Sequence, residues 1–596
     1  MGNRVHEFYL NRQSNTNARL VILKRRLRQI SILRILAFIT ILLPFGLIPT
    51  LWPVAVSLSV ASAAMFLWLI KLNIRLEREK KKCEILSGIL DNEIKALDYQ
   101  FLEFPDGSEF GDPHHAYTSD LDIFGKGSVY QMINRTTTRG GSQKLARLLQ
   151  DPLQTVEAVI RRQESVKEIA ELRDWRLEFL SEGNLLDVSE SQMEILLGGR
   201  EENLTIRNYG ILKKALILLP ALNLGALAWM VAGGTHLWLV LAVLFNWGLI
   251  YRYRKEIANY YNLFGNKTVL VGKYLAILKV IDGQEFRSKE LRELQEKVRQ
   301  SGGAAKIISE LRNIMLRFEY RQNIIPGIVL NSLLLWDLRC VFQLKGWHET
   351  HQESLSVWLE TAETFDALTG PGIFADHHPE FSYPLPLAGD FSLKAEKLGH
   401  PILRTGKRVD NDFQLEGWSR VVIITGANMA GKSTFLRALG VNMVLAGSGC
   451  PVCAAKMEYS PAGLFTSMRT TDSLLLEESY FLAELKRIAT LMNRLRNGEQ
   501  LVVILDEMLK GTNSEDKLKG SQNLVRELSE TSSVSIIATH DVKLTEMEQE
   551  LPGHVSNYCF EIKHQGEELV FDYKLREGVT QNMNATLLMK KMGITR

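Results

Sequence analysis

Lys432 and Ser433 sit near the end of the run Gly426-Ala427-Asn428-Met429-Ala430-Gly431-Lys432-Ser433-Thr434, and their types and spacing suit holding the phosphates of a nucleotide. The run obeys the pattern glycine, four residues, glycine, lysine, then serine or threonine. Its glycines let backbone N–H groups turn toward phosphate oxygens, and a helix N-terminus behind them adds positive partial charge. Lys432 then reaches the β- and γ-phosphates of ATP, and Ser433 serves as a ligand to Mg²⁺. Two further stretches supply what hydrolysis needs. Asp506 and Glu507 end an apolar run, so Asp506 is placed to hold Mg²⁺, directly or through water, and Glu507 to orient and deprotonate the attacking water. His540 ends another apolar run, where its imidazole can sense the γ-phosphate or hold the same water.

Each of these groups needs a rigid element behind it. Residues 421–424, 501–505 and 536–539 read as buried strands, and Phe435-Leu436-Arg437 begins a helix after the glycine-rich loop. The fold class expected around them is therefore an α/β P-loop ATPase domain. A chain of 596 residues needs further units beside it. The net charge of +3 announces no polycation, so any contact with DNA must come from a local patch. Five cysteines make no disulfide framework, and Cys450 and Cys453, without a second pair at metal-site distance, read as small buried residues.

Residues 1–34 are polar and basic and lead into two uncharged runs, 35–52 and 54–70, with Pro49 and Pro53 marking a turn between them. As helix each run is about 27 Å long, against a hydrocarbon core of about 30 Å. Lys24, Arg25, Arg26, Arg28 and Arg34 precede the pair, and Lys71, Arg75, Arg78, Lys80, Lys81 and Lys82 follow it. A transmembrane hairpin with both ends in the cytoplasm is expected over 1–72; a buried helical hairpin is the alternative. A second pair, 215–232 and 237–251, has Lys213 and Lys214 before it and Arg252, Arg254 and Lys255 after it. It reads as a second transmembrane hairpin at 213–252, or as a buried soluble one because its last run is short, and Asn223 and Asn246 could hydrogen-bond between helices. The apolar run 324–335, interrupted by Pro326, is too short to span and reads as core. These signals place the chain in the inner, cytoplasmic membrane as a multi-pass protein with its soluble parts in the cytoplasm.

Further motifs resemble the MutS family of DNA mismatch-repair ATPases. Leu121-Asp122-Ile123-Phe124-Gly125, Asn134-Arg135-Thr136-Thr137-Thr138, Gly140-Gly141 and Asp151-Pro152-Leu153 are similar to its core domain, as are Trp358–Glu363 and Phe365-Asp366-Ala367-Leu368. Asp506-Glu507-Met508-Leu509-Lys510-Gly511-Thr512 and Ser479-Tyr480-Phe481-Leu482-Ala483-Glu484 resemble motifs of its ATPase. The resemblance implies an all-α core and lever domain over 119–384, interrupted by the second hairpin, a helical linker and loop at 73–118, and an α/β P-loop ATPase domain of ABC type at 385–596. It also implies a homodimer in which Ser479 of one subunit completes the ATP site of the other, and DNA as a partner. By the same resemblance Phe413 stacks on adenine; a core aromatic is the alternative. His400-Pro401 resembles a family strand, with Gly399 where an arginine is usual, and Tyr573-Lys574-Leu575 and residues 582–593 resemble its closing helix. The mismatch-reading N-terminal domain is not expected before residue 35, nor is the usual DNA clamp, whose place the second hairpin takes.

The leading functional reading is a membrane-anchored, dimeric MutS-like ATPase coupled to DNA binding. An ABC-type transport or membrane-remodelling ATPase without DNA is the alternative, although Ser479-Tyr480-Phe481 is not the transporter signature.

Overall fold

The structure is a computed structural model that describes residues 2–47, 52–186, 206, 208–265, 267–427, 429–468, 480–509, 513–565 and 568–580. Its first two helices, α1 (Gly2–Leu47) and α2 (Trp52–Leu97), are each 46 residues long and lie antiparallel. Leu20, Leu23, Leu27 and Ile30 of α1 meet Leu69, Leu76 and Cys83 of α2, the alternating three- and four-residue and the seven-residue spacings of a coiled-coil seam. α2 therefore runs unbroken across the boundary expected at 72/73, and the basic N-terminal segment is the first half of a stalk. Residues 48–51, at the turn of the expected first hairpin, lie outside the described residues.

The stalk is seated on a helical core. Its elements are α3 (Val129–Ile133), α4 (Arg139–Gln150), α5 (Val156–Glu171) and α6 (Arg173–Asn184), followed later by α9 (Arg254–Phe264), α10 (Thr268–Asp282), α11 (Lys289–Arg299) and α12 (Ala304–Glu319). Val5 and Tyr9 of α1 and Leu90 of α2 pack on Leu177 of α6, and Arg12 pairs with Asp174 at 3.0 Å. All of these helices gather on the 42-residue α14 (Trp336–His377), whose Trp358, Phe365 and Leu368 are buried with Trp175, Phe179 and Ile277.

Two of the sequence motifs meet on α14. The Asp366 carboxylate, fully buried, accepts from the backbone N–H of Thr137 at 3.0 Å and from the N–H and hydroxyl of Thr138 at 2.8 and 2.6 Å, while Thr138 caps α4. Asp366→Ala strands these donors in a dry site and is expected to cost about 3 kcal/mol. The cost should read as an earlier urea unfolding transition, with Asp366→Asn, which keeps one acceptor oxygen, falling between the variant and the parent.

Three apolar helices stand at the far end of α14: α7 (Tyr209–Val231), α8 (Leu237–Arg252) and α13 (Ile324–Leu334). Among the described residues, Trp52–Leu97 and Tyr209–Val231 are long and apolar enough to cross a membrane; Leu237–Arg252 is shorter, and Ile324–Leu334 reaches the measure only jointly with α14, from which it is bent by 80°. The expectation that 324–335 is core fails, because Ile324 and Ile325 are each 77% exposed. A run of this length carries no mark of which neighbour will cover it.

The C-terminal part holds two sheets. The smaller has the order β1-β5-β2-β3, from β1 (Leu385–Pro386), β2 (Ser392–Leu398), β3 (Asn411–Glu416) and β5 (Lys456–Tyr459). The larger has the order β10-β9-β4-β8-β7-β6, from β4 (Arg420–Gly426), β6 (Gly463–Ser467), β7 (Leu501–Asp506), β8 (Ser533–Thr539), β9 (Val555–Gln565) and β10 (Glu568–Glu577). β4, β6, β7, β8 and β9 run parallel, and only the edge strand β10 is antiparallel to its neighbour. Helices α15 (Lys432–Gly447), α16 (Tyr480–Arg496) and α17 (Ser514–Glu530) cover the sheet, with the one-turn α18 (Met547–Glu550) before β9. Burial on both faces explains the continuous apolar runs of β4 and β8.

Candidate functional site

β4, β7 and β8 are adjacent and parallel, so the residues that follow them emerge at one edge of the sheet. That topology brings Gly426, Asp506, Glu507 and His540 together from three separate stretches of sequence. Ligands of open parallel sheets bind at this edge, beyond the carboxyl ends of the strands.

The glycine-rich loop leaves β4 at Gly426 (φ 152°) and enters α15 through Gly431 (φ 107°). A Cβ on Gly426 would lie 2.7 Å from the Phe560 carbonyl, and one on Gly431 would lie 3.1 Å from the Tyr573 ring. Gly426 has no room for a side chain against that backbone oxygen, Gly431 has a tight contact, and the positive φ values of both suit glycine. Met429 is 79% exposed on the loop, Ala430 is buried, and Asn428 lies outside the described residues. Lys432, buried at the head of α15, donates to the carbonyls of Gly426 at 2.7 Å and Ala427 at 3.1 Å. Burial pulls its ammonium down to about 8, against the opposing pull of Asp506 and Glu507.

Ser433 Oγ donates to Asp506 Oδ2 at 2.5 Å, which sets two hard oxygen ligands side by side. Thr434 lines the same cavity. Glu507 follows β7 with φ 54°, its N–H donating to the Ala538 carbonyl at 2.9 Å. This left-handed turn at a non-glycine residue swings its carboxylate back over the sheet edge. There Glu507 Oε1 lies 2.5 Å from His540 Nε2, and His540 Nδ1 lies 2.9 Å from the Gly426 carbonyl oxygen. His540 thus bridges the loop and the acidic residue. Glu484, from the motif that begins at Ser479, accepts from the Leu509 N–H at 2.5 Å and so braces the turn after Glu507. Ser479 itself lies outside the described residues.

The loop forms one wall of a cavity of about 550 Å³. The opposite wall carries His400, Leu403, Arg408, Val409 and Tyr573. Burial pulls the His400 imidazole down to about 4, so it is neutral near pH 7. At Gly399 a Cβ would lie 2.3 Å from Asp410 Oδ1, because the Arg408–Asp410 pair, 2.9 Å apart, fills the space a longer side chain would need.

Of the two readings of Phe413, the structure has the core aromatic. Its ring is 3% exposed, packs edge-on against Phe435 at 5.6 Å and tilted against Tyr558 at 5.8 Å, and does not line the cavity. Phe435, Phe560 and Tyr573 do line it; the two phenylalanines are buried, whereas Tyr573 is 43% exposed, with Asn411 donating to its carbonyl at 3.1 Å. Tyr573-Lys574-Leu575, expected in a closing helix, belongs to strand β10, and 582–593, expected in the same helix, lies outside the described residues. The alternation of Phe571 and Tyr573 was the available sign of a strand. Cys450 and Cys453 are fully buried, and burial pushes both thiols up to about 12.

The site therefore offers a triphosphate a glycine cradle, a helix N-terminus and a buried ammonium, and offers a divalent cation the Ser433 and Asp506 oxygens. Residues 422–593 match the family model described as MutS domain V. The DNA mismatch repair protein MutS of Thermotoga petrophila is 32% identical over 217 residues, which cover 36% of this chain and 27% of that protein. The protein of the same name from Chlorobium phaeovibrioides is 27% identical over 553 residues, or 83% of this chain and 59% of that protein. That of Aquifex pyrophilus is 35% identical over 193 residues, covering 32% of this chain and 22% of that protein. The chain thus spans less than two thirds of the length of these relatives.

Proposed function

Because this chain belongs to the MutS family, we propose that it is a membrane-anchored ATPase that binds and hydrolyses ATP as a dimer and couples that cycle to DNA. The observation that carries the enzymatic part is the convergence of Lys432, Ser433, Asp506, Glu507 and His540 at one edge of the sheet, where Lys432, Ser433 and Glu507 line the cavity and Asp506 and His540 contact them from behind. The Gly426–Gly431 cradle holds the β- and γ-phosphates, with Lys432 exchanging its loop carbonyls for phosphate oxygens. Mg²⁺ on Ser433 and Asp506 would neutralise charge on the phosphates. Glu507 orients the attacking water and takes its proton, and His540 fixes the Glu507 carboxylate against the loop. Tyr573 is the aromatic placed to cover the base.

DNA enters as a partner from the relatives, whose names place them in DNA mismatch repair. The dimer is supported by the resemblance of Ser479-Tyr480-Phe481-Leu482-Ala483-Glu484 to the family motif whose serine completes the partner's ATP site. Anchoring is supported by α2 and α7, each long and apolar enough to cross a membrane.

The test uses the full chain in lipid nanodiscs, titrated with homoduplex, mismatched and branched DNA across a salt series, with and without Mg²⁺ and ATP. Expected are Mg²⁺-dependent turnover, ATP-dependent self-association, and DNA binding that weakens linearly in log salt. Turnover that responds to lipid composition and to no DNA would move the reading to a membrane-directed ATPase. Absence of turnover would remove the enzyme.

A further inference from the structure

The three apolar helices at the far end of α14 have an inverted polarity. On α7 and α8 the residues turned inward include Asn223 and Asn246, 1% and 0% exposed, while Leu218, Leu222, Trp229, Trp238, Leu244 and Phe245 are turned outward. α13 repeats the arrangement, with Gly327 and Asn331 buried and Ile324, Ile325, Ile328 and Val329 between 49% and 77% exposed. The inward polar groups tie the three helices together. Asn223 Nδ2 donates to the Leu333 carbonyl and Asn246 Nδ2 to the Ser332 carbonyl, both at 2.7 Å, and Trp247 Nε1 donates to Ser332 Oγ at 3.0 Å. These bonds satisfy carbonyls left orphaned where α13 ends at Leu335 (φ 53°). Pro220 cannot donate to the Leu216 carbonyl, and Arg339 of α14 does so in its place, at 2.9 Å.

A contiguous apolar surface of this kind does not stay bare on a water-soluble protein. Its rim is basic: Lys213 and Lys214 lie in the first turns of α7, Arg252 ends α8 with Arg254 and Lys255 just beyond it, and Arg321 precedes α13, resting on the Tyr261 ring at 5.0 Å and paired with Asp337 at 3.6 Å. Such a rim complements anionic headgroups. Asn246 lies about 9 Å along α8 from Arg252, and Asn223 about 14 Å along α7 from Lys214. The C-terminal end of α13 is pinned between those depths, and the helix, about 16 Å long, is too short to cross.

We infer that α13 is a third membrane element, a short helix embedded at the basic edge of the α7–α8 hairpin with Ile324, Ile325, Ile328 and Val329 against lipid acyl chains, an inference that rests on the membrane anchoring proposed above. Through the bend at Leu335 it continues into α14, whose far end is held by Arg173 and Arg176 on Asp376. The lever helix therefore starts in the bilayer.

The test places a bimane fluorophore on Ile325→Cys, Leu222→Cys or Glu353→Cys in the full chain, reconstituted in phosphatidylcholine–phosphatidylglycerol vesicles. The five native cysteines are buried, and the unsubstituted chain serves as blank. Quenching by nitroxide-bearing lipid and by aqueous iodide is then compared. Leu222→Cys reports the anchor and Glu353→Cys the water. Expected is lipid quenching and iodide shielding at Ile325→Cys as at Leu222→Cys, with the reverse at Glu353→Cys. Replacing Asn223 and Asn246 by Leu should abolish lipid quenching at position 325 and leave it intact at 222. If position 325 is quenched by iodide while 222 is quenched by lipid, the inference fails and the anchor stands. Shielding of 325 from both quenchers would mean that protein, a second copy included, covers α13, and would also overturn it. Iodide quenching at 222 would sink the anchor reading itself.

Discussion

Glu507→Gln is expected to leave ATP bound and to lower turnover by about 100- to 10,000-fold, the range carried by a positioned general base. The amide keeps the shape of the carboxylate, and the backbone that aims it, with φ 54° and an N–H bonded to the Ala538 carbonyl, is independent of the side chain. What is lost is the oxygen that takes the proton from water. In the variant His540 keeps the Gly426 carbonyl on Nδ1 and meets the new amide where the parent carboxylate stands 2.5 Å from Nε2, so this alternative base stays engaged on both nitrogens. The measurement is kcat at saturating ATP beside equilibrium binding of a fluorescent ATP analogue. Parental turnover in the variant would take Glu507 out of the base role, and loss of binding along with turnover would mean that it holds the site together.

These residues were legible in the sequence because their spacing and their strands are set by the same physics. Parallel strands buried on both faces read as unbroken apolar runs, and the chemistry falls at their ends. Phe413 was legible too: Asn411, Phe413 and Leu415 alternate with Asp412, Gln414 and Glu416, and the alternating burial of β3 follows that period. The adenine reading came from resemblance alone, whereas this period favours the core reading held beside it. The coiled-coil seam at Leu20, Leu23, Leu27 and Ile30 was hidden by the arginines and lysines between those residues, which suggested a membrane flank. α13 was the least legible element. Its 11 residues fall below the length at which apolar character alone decides an environment, and its covering surface lies on helices about 80 to 110 residues away in sequence. Asn223 and Asn246 did mark an interhelical contact, but their partners are main-chain carbonyls of α13, which no side-chain pattern announces.

Lys432→Ala is expected to weaken ATP binding by about 3 kcal/mol, the cost of removing one partner of a buried, hydrogen-bonded charge pair, or roughly 100-fold in Kd. Lys432 also predicts how affinity depends on pH. Burial pulls its ammonium down to about 8, so the site loses this charge as pH rises through that value. Phosphate oxygens favour the charged form, so binding above pH 8 takes up a proton, and log Kd rises with a slope approaching one per pH unit. Stability without nucleotide moves the other way. Between about 8 and the ordinary value of 10.5, the unfolded chain holds a proton that the folded site has released, so this group makes the fold more stable as pH rises. Opposite slopes for affinity and stability in the parent, both absent in Lys432→Ala, would assign the proton to this lysine. A flat affinity profile from pH 7 to 9.5, or an unchanged Kd in the variant, would show that the ammonium does not face the phosphates.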